Sequence, residues 1–153
     1  MQKLSSISQE IIHKIIELDQ KFLNYFWNDN QWIDFLTNNS KDAYLLYNAE
    51  GQEVYSFALF LGNYADNSLH LLKVVTHPLK RGEGMASQLI KAAQESDVFK
   101  RPMGQGLKIF LEVSTMNFTA IKVYEELGFE RTRYIKKFYS DGSDALEMLY
   151  QGE

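Results

Sequence analysis

A short glycine bend, Arg81-Gly82-Glu83-Gly84-Met85-Ala86, joins two contrasting segments of the chain. The apolar run Leu69–Val75 before it predicts a buried strand, and Pro78 ends that strand because proline has no N–H for a ladder. Apolar residues at positions 85, 86, 89, 90 and 93 predict a helix after it. Glycines let a backbone approach a ligand, and a helix N-terminus offers free N–H groups and the positive end of a dipole. With Arg81 as a permanent cation, the bend predicts a site for a phosphate-bearing ligand.

Three phosphate-binding patterns can be compared with this bend. A P-loop needs GxxxxGK[ST], which the sequence lacks. A dinucleotide fingerprint needs GxGxxG directly after the strand, whereas here Ser87 stands at the third glycine and Pro78–Arg81 intervene. The third pattern, [Q/R]-x-x-G-x-[G/A], is present from Arg81 to Ala86. It resembles motif A of the GNAT family of acetyltransferases, whose loop amides hold the pyrophosphate of acetyl-CoA. An ordinary strand-to-helix turn is the alternative that the bend alone leaves open.

The second half of the chain carries a carboxylate and a phenol that could move protons. Glu112 lies in Leu107–Ser114, where alternating apolar residues predict a strand. Tyr124 follows in a helix that Asn117 is predicted to begin and Gly128 to end. On residue types alone, Glu112 could instead face solvent from a strand edge, and Tyr124 could simply pack in the core.

These residues fall in a segment that resembles the GNAT pattern LEV…N..A…Y..LGF. The closing segment Ile135–Met148, IKKFYSDGSDALEM, is similar to the final hairpin of the RimI-type protein N-terminal acetyltransferases, in which a tyrosine pair and a DG.DA turn occur. The resemblance extends from about Leu69 to Met148, whereas residues 1–60 match loosely. Phe138 departs from the pattern because it replaces the first tyrosine of the pair.

The resemblance implies attack of an amine on acetyl-CoA within a ternary complex. Glu112 would be the general base, acting through a water, and Tyr124 the acid that protonates the departing thiolate. Main-chain N–H groups of the strand before the bend, splayed there to admit the coenzyme, would stabilise the oxyanion. The positions implied for binding acetyl-CoA are Val74, Val75, Thr76, Arg81, Gly82, Glu83, Gly84, Met85, Ala86 and Asn117. Those implied for binding the acceptor are Tyr139 and Phe138. A looser match over Phe22–Trp27 adds Trp27, although this segment could instead form an aromatic corner of the core.

The other elements predict how these residues are positioned. Two helices are predicted first: one begins with a capping box at Ser6–Gln9 and runs to Phe26, and the other ends at Asn38-Asn39. A hairpin of Ala43–Tyr47 and Glu53–Leu61 follows them. Ser96–Gly106 is predicted to be a surface loop, and Glu130–Tyr139 and Asp144–Tyr150 to be the last two strands. The order predicts a single domain over residues 1–153 of the α/β (α+β) class. It would have one mostly antiparallel sheet of about six or seven strands, about four helices and one parallel crossover, as the GNAT resemblance implies.

Composition narrows the classes of function. The 153 residues have a net charge of −4, which argues against a nucleic-acid partner. Without cysteine there is no disulfide or zinc-thiolate site, and the three histidines show no ligand spacing, so we expect no metal. Neither a membrane span nor a signal peptide is evident, so we expect a cytoplasmic protein with no membrane partner.

The hypothesis that follows is an acetyl-CoA-dependent N-acetyltransferase that acts on the α-amine of a protein or peptide. Two alternatives stay open at the level of sequence. One is an acetyltransferase for small amines such as polyamines, amino acids or aminoglycoside-like compounds, which Phe138 and the acidic charge allow. The other is a non-catalytic acyl-CoA-binding module, against which the presence of both Glu112 and Tyr124 counts.

Overall fold

The computed structural model describes residues 1–99 and 105–153. Within these residues the chain forms seven strands and four α-helices, in the predicted order apart from one extra strand of two residues at the start. The strands are β1 (Gln2–Lys3), β2 (Ala43–Glu50), β3 (Glu53–Asn63), β4 (Ser68–Thr76), β5 (Lys108–Ser114), β6 (Glu130–Ile135) and β7 (Ala145–Gln151). The helices are α1 (Gln9–Phe22), α2 (Asp29–Asn39), α3 (Met85–Gln94) and α4 (Phe118–Glu126), and short 3-10 turns occupy Leu4–Ser6 and Pro78–Lys80.

All seven strands of the described residues join one sheet, in the spatial order β1-β2-β3-β4-β5-β7-β6. Every neighbouring pair is antiparallel except β4 and β5, which α3 connects as a parallel crossover. The predicted fold class, a mixed α/β domain with a mostly antiparallel sheet, is confirmed.

The helices cover the two faces of the sheet unequally. Helices α1 and α2 pack Ile15, Leu18, Trp32 and Phe35 against one face, over β2 to β4. Helices α3 and α4 bury their apolar stripes on the other face, together with Ile109, Leu111 and Val113 of β5. The opposite side chains of β5 and β7 lie beyond the reach of α1 and α2, and a cavity of about 300 Å³ opens there. Half of one sheet face is therefore accessible.

Strands β4 and β5 separate along their length. In the described residues they pair from Ser68/Lys108 to Leu71/Leu111, after which β4 continues with β3 to Thr76 and β5 continues with β7 to Ser114. The register between β3 and β4 shifts at the same point, where Leu72 forms a bulge. The predicted splay is therefore present, as a gap in the sheet directly before the glycine bend.

Several boundaries differ from the sequence predictions: β2 runs to Glu50 and not Tyr47, and β3 to Asn63 and not Leu61. Three other differences have a local cause. The predicted capping box at Ser6 is wrong, because Ser8 caps α1 and accepts the N–H of Ile11, while the capping box belongs to Asn28 at the start of α2. Helix α1 ends at Phe22 and not Phe26, since Leu23 is extended. Strand β6 ends at Ile135 and not Tyr139, because Lys137 adopts a left-handed conformation with φ 53°.

The predicted surface loop Ser96–Gly106 is only partly surface. Phe99 is buried against the core, and Gly106 lies so close to the backbone of Gly152 that a Cβ would clash. Residues 100–104 of this predicted loop lie outside the described residues. No helix in the described part of the chain combines the length and the apolar character needed to cross a membrane.

Candidate active site

The glycine bend (residues 81–86) has the geometry of an anion cradle. Gly82 and Gly84 have φ values of 82° and 76°, a left-handed conformation that costs other residues energy. Among the described residues, nothing lies within 4 Å of a Cβ built on either glycine, so the space above both is open. Gly84 is the N-cap of α3, and no described side chain caps that helix. The first amides of α3 therefore remain available to a ligand, as a diphosphate would need.

Arg81 begins this bend, and the exposed Glu83 stands between its two glycines. Met85 and Ala86 form the first turn of α3. The Arg81 Nε donates to the carbonyl oxygen of Thr76 at 3.3 Å, which holds its guanidinium at the end of β4. The described residues thus offer the amides, open backbone and cation that the pyrophosphate of acetyl-CoA would require.

The backbone of β4 can be sorted by the direction in which its amides point. The His77 N–H donates to the Tyr55 carbonyl at 2.7 Å, so these opposite residues form a hydrogen-bonded pair. Such pairs alternate along an antiparallel ladder, so Val75 also points toward β3, while Val74 and Thr76 point away from it. Of the three predicted residues, Val74 and Thr76 therefore present their amides to the gap, and Val75 does not.

Glu112 lies beside the gap on the accessible sheet face, and it has a partner that the sequence analysis missed. His70 of β4 places its Nε2 2.6 Å from Oε2 of Glu112, with the side chains 27% and 16% exposed. The imidazole also stacks on Phe110, at 4.3 Å between ring centroids. Ring stacking and the short contact together fix the orientation of the carboxylate, while both groups keep some access to solvent.

This pair belongs to a row of charged side chains that crosses four strands. Glu147 of β7 lies directly opposite Glu112 in the ladder, and like charges at such positions repel. Arg133 of β6 donates to Oε2 of Glu147 at 3.2 Å, and Thr132 donates to its other oxygen at 3.0 Å. Each carboxylate thus has a nitrogen-bearing partner on its outer side, and the two negative groups stay together at the centre of the row.

Tyr124 lies on the other face of the sheet from Glu112. It is buried in α4 near Phe129, within the core that includes Leu111 and Val113. Burial, with a smaller effect of Tyr139, raises the pKa of the Tyr124 phenol above its ordinary value. The phenol therefore stays protonated at neutral pH, as a general acid must. Because the gap between β4 and β5 opens through the sheet, it lies between the face that carries Glu112 and the face that carries Tyr124.

Tyr139 belongs to an aromatic entrance formed by two loops. It stacks on Tyr25 with 3.9 Å between ring centroids, and Tyr25 in turn contacts Asp141 and Ser143 through its hydroxyl, each at 3.0 Å. Burial, followed by the charges of Tyr25, Glu112 and Asp141, raises the pKa of Tyr139 to about 12. Phe138 packs edge-on against Tyr139 and is 44% exposed. We call Tyr25 and Tyr139–Ser143 the acceptor entrance, after the acceptor-binding role that was predicted for Tyr139.

The remaining two predicted residues have structural contacts of their own. Trp27 packs against Trp32 and Phe35 at 4.9 Å each, inside the α1–α2 core, so Tyr25 and not Trp27 contacts Tyr139. Asn117 caps α4, with its side-chain oxygen accepting the Ala120 N–H at 3.2 Å. Its predicted cap is confirmed, while its contact with a coenzyme stays a prediction.

Two residues of the site, His70 and Tyr25, were not singled out from the sequence, although Tyr25 lies within the loosely matched segment Phe22–Trp27. A signal for His70 existed, because it is the one polar residue between Leu69 and Leu72 in an apolar strand, and alternation places it opposite the buried face. Nothing in the sequence distinguished Tyr25 from the other aromatic residues of Phe22–Trp27, since its contact with Tyr139 spans more than 100 positions of the chain.

Comparison with known proteins finds one matching family model and several relatives with similar sequences. The sequence model of the acetyltransferase (GNAT) domain matches residues 4–151. An N-alpha-acetyltransferase of Saccharolobus solfataricus is 32% identical over 79 residues, which are 52% of this chain and 46% of that protein. N-alpha-acetyltransferase 30 of Schizosaccharomyces pombe is 36% identical over 69 residues, 45% of this chain and 43% of that protein. The chain spans about half the length of the curated relatives it matches.

Solved structures share the fold at low sequence identity. The ribosomal-protein-S18-alanine N-acetyltransferase of Escherichia coli superposes with a TM-score of 0.79 at 18% identity, covering 97% of this chain and 92% of that one. Ard1 of Thermoplasma volcanium gives 0.77 at 22% identity, covering 96% and 95%. The match of the domain model over nearly the whole chain, on a sheet with the expected splay and glycine bend, shows that the chain belongs to the GNAT acetyltransferase family.

Proposed function

We propose that this protein transfers an acetyl group from acetyl-CoA to the α-amine at the N-terminus of a protein or peptide. The curated relatives named above carry the description N-alpha-acetyltransferase, and their matches support this class of acceptor. The observation that carries the proposal is the 2.6 Å contact between His70 and Glu112 beside the gap, because it orients the partly accessible carboxylate that we propose as the base.

In this proposal the glycine bend and Arg81 bind the diphosphate, and the amides of Val74 and Thr76 face the thioester. Acetyl-CoA supplies an activated acyl group whose leaving group is a thiolate. An N-terminal α-amine has an ordinary pKa of about 7.7–8.0, so a modest base suffices near neutral pH. His70, with Nε2 protonated, donates to one oxygen of Glu112 and leaves the other for the amine, directly or through a water.

The proton balance is closed by two residues of the chain. Glu112 takes the proton of the amine as the new N–C bond forms, and Tyr124 gives a proton to the sulfur as the C–S bond breaks. The acceptor entrance would hold the first residues of the peptide, with the Tyr139 hydroxyl available to its backbone and Phe138 in place of a second hydroxyl.

The test is isotopic acetyl transfer from labelled acetyl-CoA to a matched set of acceptors. The set contains peptides with a free α-amine, the same peptides with a blocked N-terminus and one internal lysine, and spermidine. We expect transfer to the free α-amine and not to the blocked peptides or spermidine. Transfer to spermidine alone would replace the proposal with a small-amine acetyltransferase, and binding of acetyl-CoA without transfer to any acceptor would favour a non-catalytic module.

A cytoplasmic location, a single domain over residues 1–153, and the absence of metal, nucleic-acid and membrane partners stay predictions from the sequence. They play no part in the test above.

A further inference from the structure

A buried ion pair lies between β4, the strand before the glycine bend, and the acceptor entrance. Lys73 of β4 donates to Oδ1 of Asp19 in α1 at 2.8 Å, and the two side chains are 2% and 0% exposed. Lys73 directly precedes Val74, the first residue whose amide faces the gap. The pair is therefore attached to the strand on which the thioester would lie.

The same pair holds the α1–α2 loop (residues 23–28). The Lys73 ammonium lies 3.4 Å from the carbonyl oxygen of Tyr25 and 4.3 Å from the centre of the Trp27 ring. The second oxygen of Asp19 accepts the Trp27 N–H at 3.0 Å and the Trp32 indole N–H at 2.8 Å. Lys73 and Asp19 thus contact Tyr25 and Trp27 within this loop and Trp32 at the start of α2.

Tyr25 also contacts the second loop of the acceptor entrance. Its ring stacks on Tyr139, and its hydroxyl contacts Asp141 and Ser143. A continuous series of contacts thus leads from β4 through Lys73 and Tyr25 to the loop that carries Tyr139.

An apolar pair of similar volume would fill this position at no greater cost, because removing two charges from water is unfavourable and burial lowers the pKa of Lys73 even beside Asp19. What an apolar pair would lack is the directed contact with the Tyr25 carbonyl.

We propose that Asp19 and Lys73 are positioning residues that fix the acceptor entrance relative to the thioester-binding strand. This rests on the proposed function: Lys73 touches no substrate and acts through Tyr25. The pair therefore affects the binding of the acceptor and leaves the binding of the coenzyme unchanged.

The test uses the double variant Asp19→Asn/Lys73→Met. The introduced asparagine can still accept from both tryptophan N–H groups, and the introduced methionine replaces the lysine stem, so no charge is left buried alone. Lys14→Met is the matched control, because Lys14 joins the same helix to Glu53 of β3 through an exposed ion pair at 3.1 Å.

We expect the double variant to raise the KM for the peptide about tenfold, with kcat and the Kd for CoA within about twofold of the parent, since misplacement of a binding group weakens productive binding. Lys14→Met should leave all three unchanged. Tyr25→Ala should raise the KM by itself, and adding it to the double variant should raise the KM no further, because residues that act through one another are not additive. Additive effects, or a parallel loss of CoA affinity, would overturn the proposal.

A second readout is independent of turnover. The Lys73 ammonium, which the double variant removes, lies 4.3 Å from the ring centre of Trp27 and 5.8 Å from that of Trp32, the only two tryptophans of the chain. Acrylamide should therefore quench the fluorescence of the double variant more strongly than that of the parent or of Lys14→Met. Equal quenching in all three proteins would show that the pair does not hold the loop, whereas failure of the parent to acetylate any peptide would count against the proposed function.

Discussion

Glu112 and Tyr124 stand on opposite faces of one sheet, and this separation suits a reaction that needs a base and an acid at the same time. Glu112 is oriented by His70 at 2.6 Å and remains partly accessible. Tyr124 is buried, and its raised pKa keeps it protonated at neutral pH.

Tyr124→Phe removes the hydroxyl that we propose as the acid and keeps the ring in the core. We expect kcat to fall about a hundredfold at pH 7, the lower end of what general acid catalysis contributes, with an unchanged Kd for acetyl-CoA. The deficit should be the same below and above about pH 8.5, because the raised pKa of Tyr124 keeps the parental phenol protonated on both sides of that ordinary thiol pKa. Steady-state rates from about pH 6.5 to 9.5, on either side of that pKa, and calorimetric binding measure both; unchanged turnover would show that Tyr124 only packs.

The sequence identified single residues that could do chemistry, but it did not show which other residues they contact. The strand predicted from the alternation in Leu107–Ser114 is confirmed, and its geometry alone places Glu112 on the face opposite the buried side chains of β5. The contact with His70 was out of reach, since it depends on β4 and β5 lying side by side over four residue pairs. In the sequence, the three histidines show only that they have no ligand spacing.

At the scale of elements, the bend between β4 and α3 combines two glycines in left-handed conformations with an uncapped helix start. A ligand that accepts hydrogen bonds would satisfy the amides that the helix itself cannot. This is a general property of helix N-termini, and the open space above Gly84 makes it usable here.

Gly84→Ala should weaken CoA binding about tenfold, because a Cβ would stand where the backbone must approach the phosphates. Gly51→Ala is its control: Gly51 also has a positive φ, of 60°, and open space, but it lies in the turn between β2 and β3. Both variants should lose about 1 kcal/mol of unfolding free energy from backbone strain. Calorimetry with CoA and thermal unfolding separate the two effects, and equal loss of CoA affinity in both variants would contradict the assignment of the bend.

Elements with strong periodicity were predicted well, and the junctions that tertiary contacts decide were not. The helical pattern continues to Phe26 in the sequence, yet the chain leaves α1 at Leu23, and Asp19 accepts the N–H of Trp27 in the loop that follows. The bulge at Leu72 is another example, because it reverses which β4 side chains face α1. That reversal brings Lys73 onto the face where Asp19 lies, and no local pattern indicated it.

At the scale of the whole molecule, the two halves of the chain serve different needs. The second half supplies the glycine bend, Glu112 and Tyr124, and it is the half whose resemblance was clear from the sequence. The first half supplies α1, α2 and their loop, which approach the acceptor entrance through Tyr25. Residues 1–60 resembled the family loosely, so the class of acceptor could be predicted less well than the acetyl donor.

The role proposed for Glu112 is tested by single-turnover acetyl transfer by Glu112→Gln to a peptide with a free α-amine. The introduced glutamine keeps the shape of the side chain and can still accept the His70 N–H, but it cannot take up a proton. We predict a rate at least about a hundredfold below that of the parent at saturating acetyl-CoA and peptide, with an unchanged Kd for CoA. A Glu112→Gln enzyme that transfers acetyl groups at the parental rate would contradict the central claim that the His70–Glu112 pair accepts the proton of the amine.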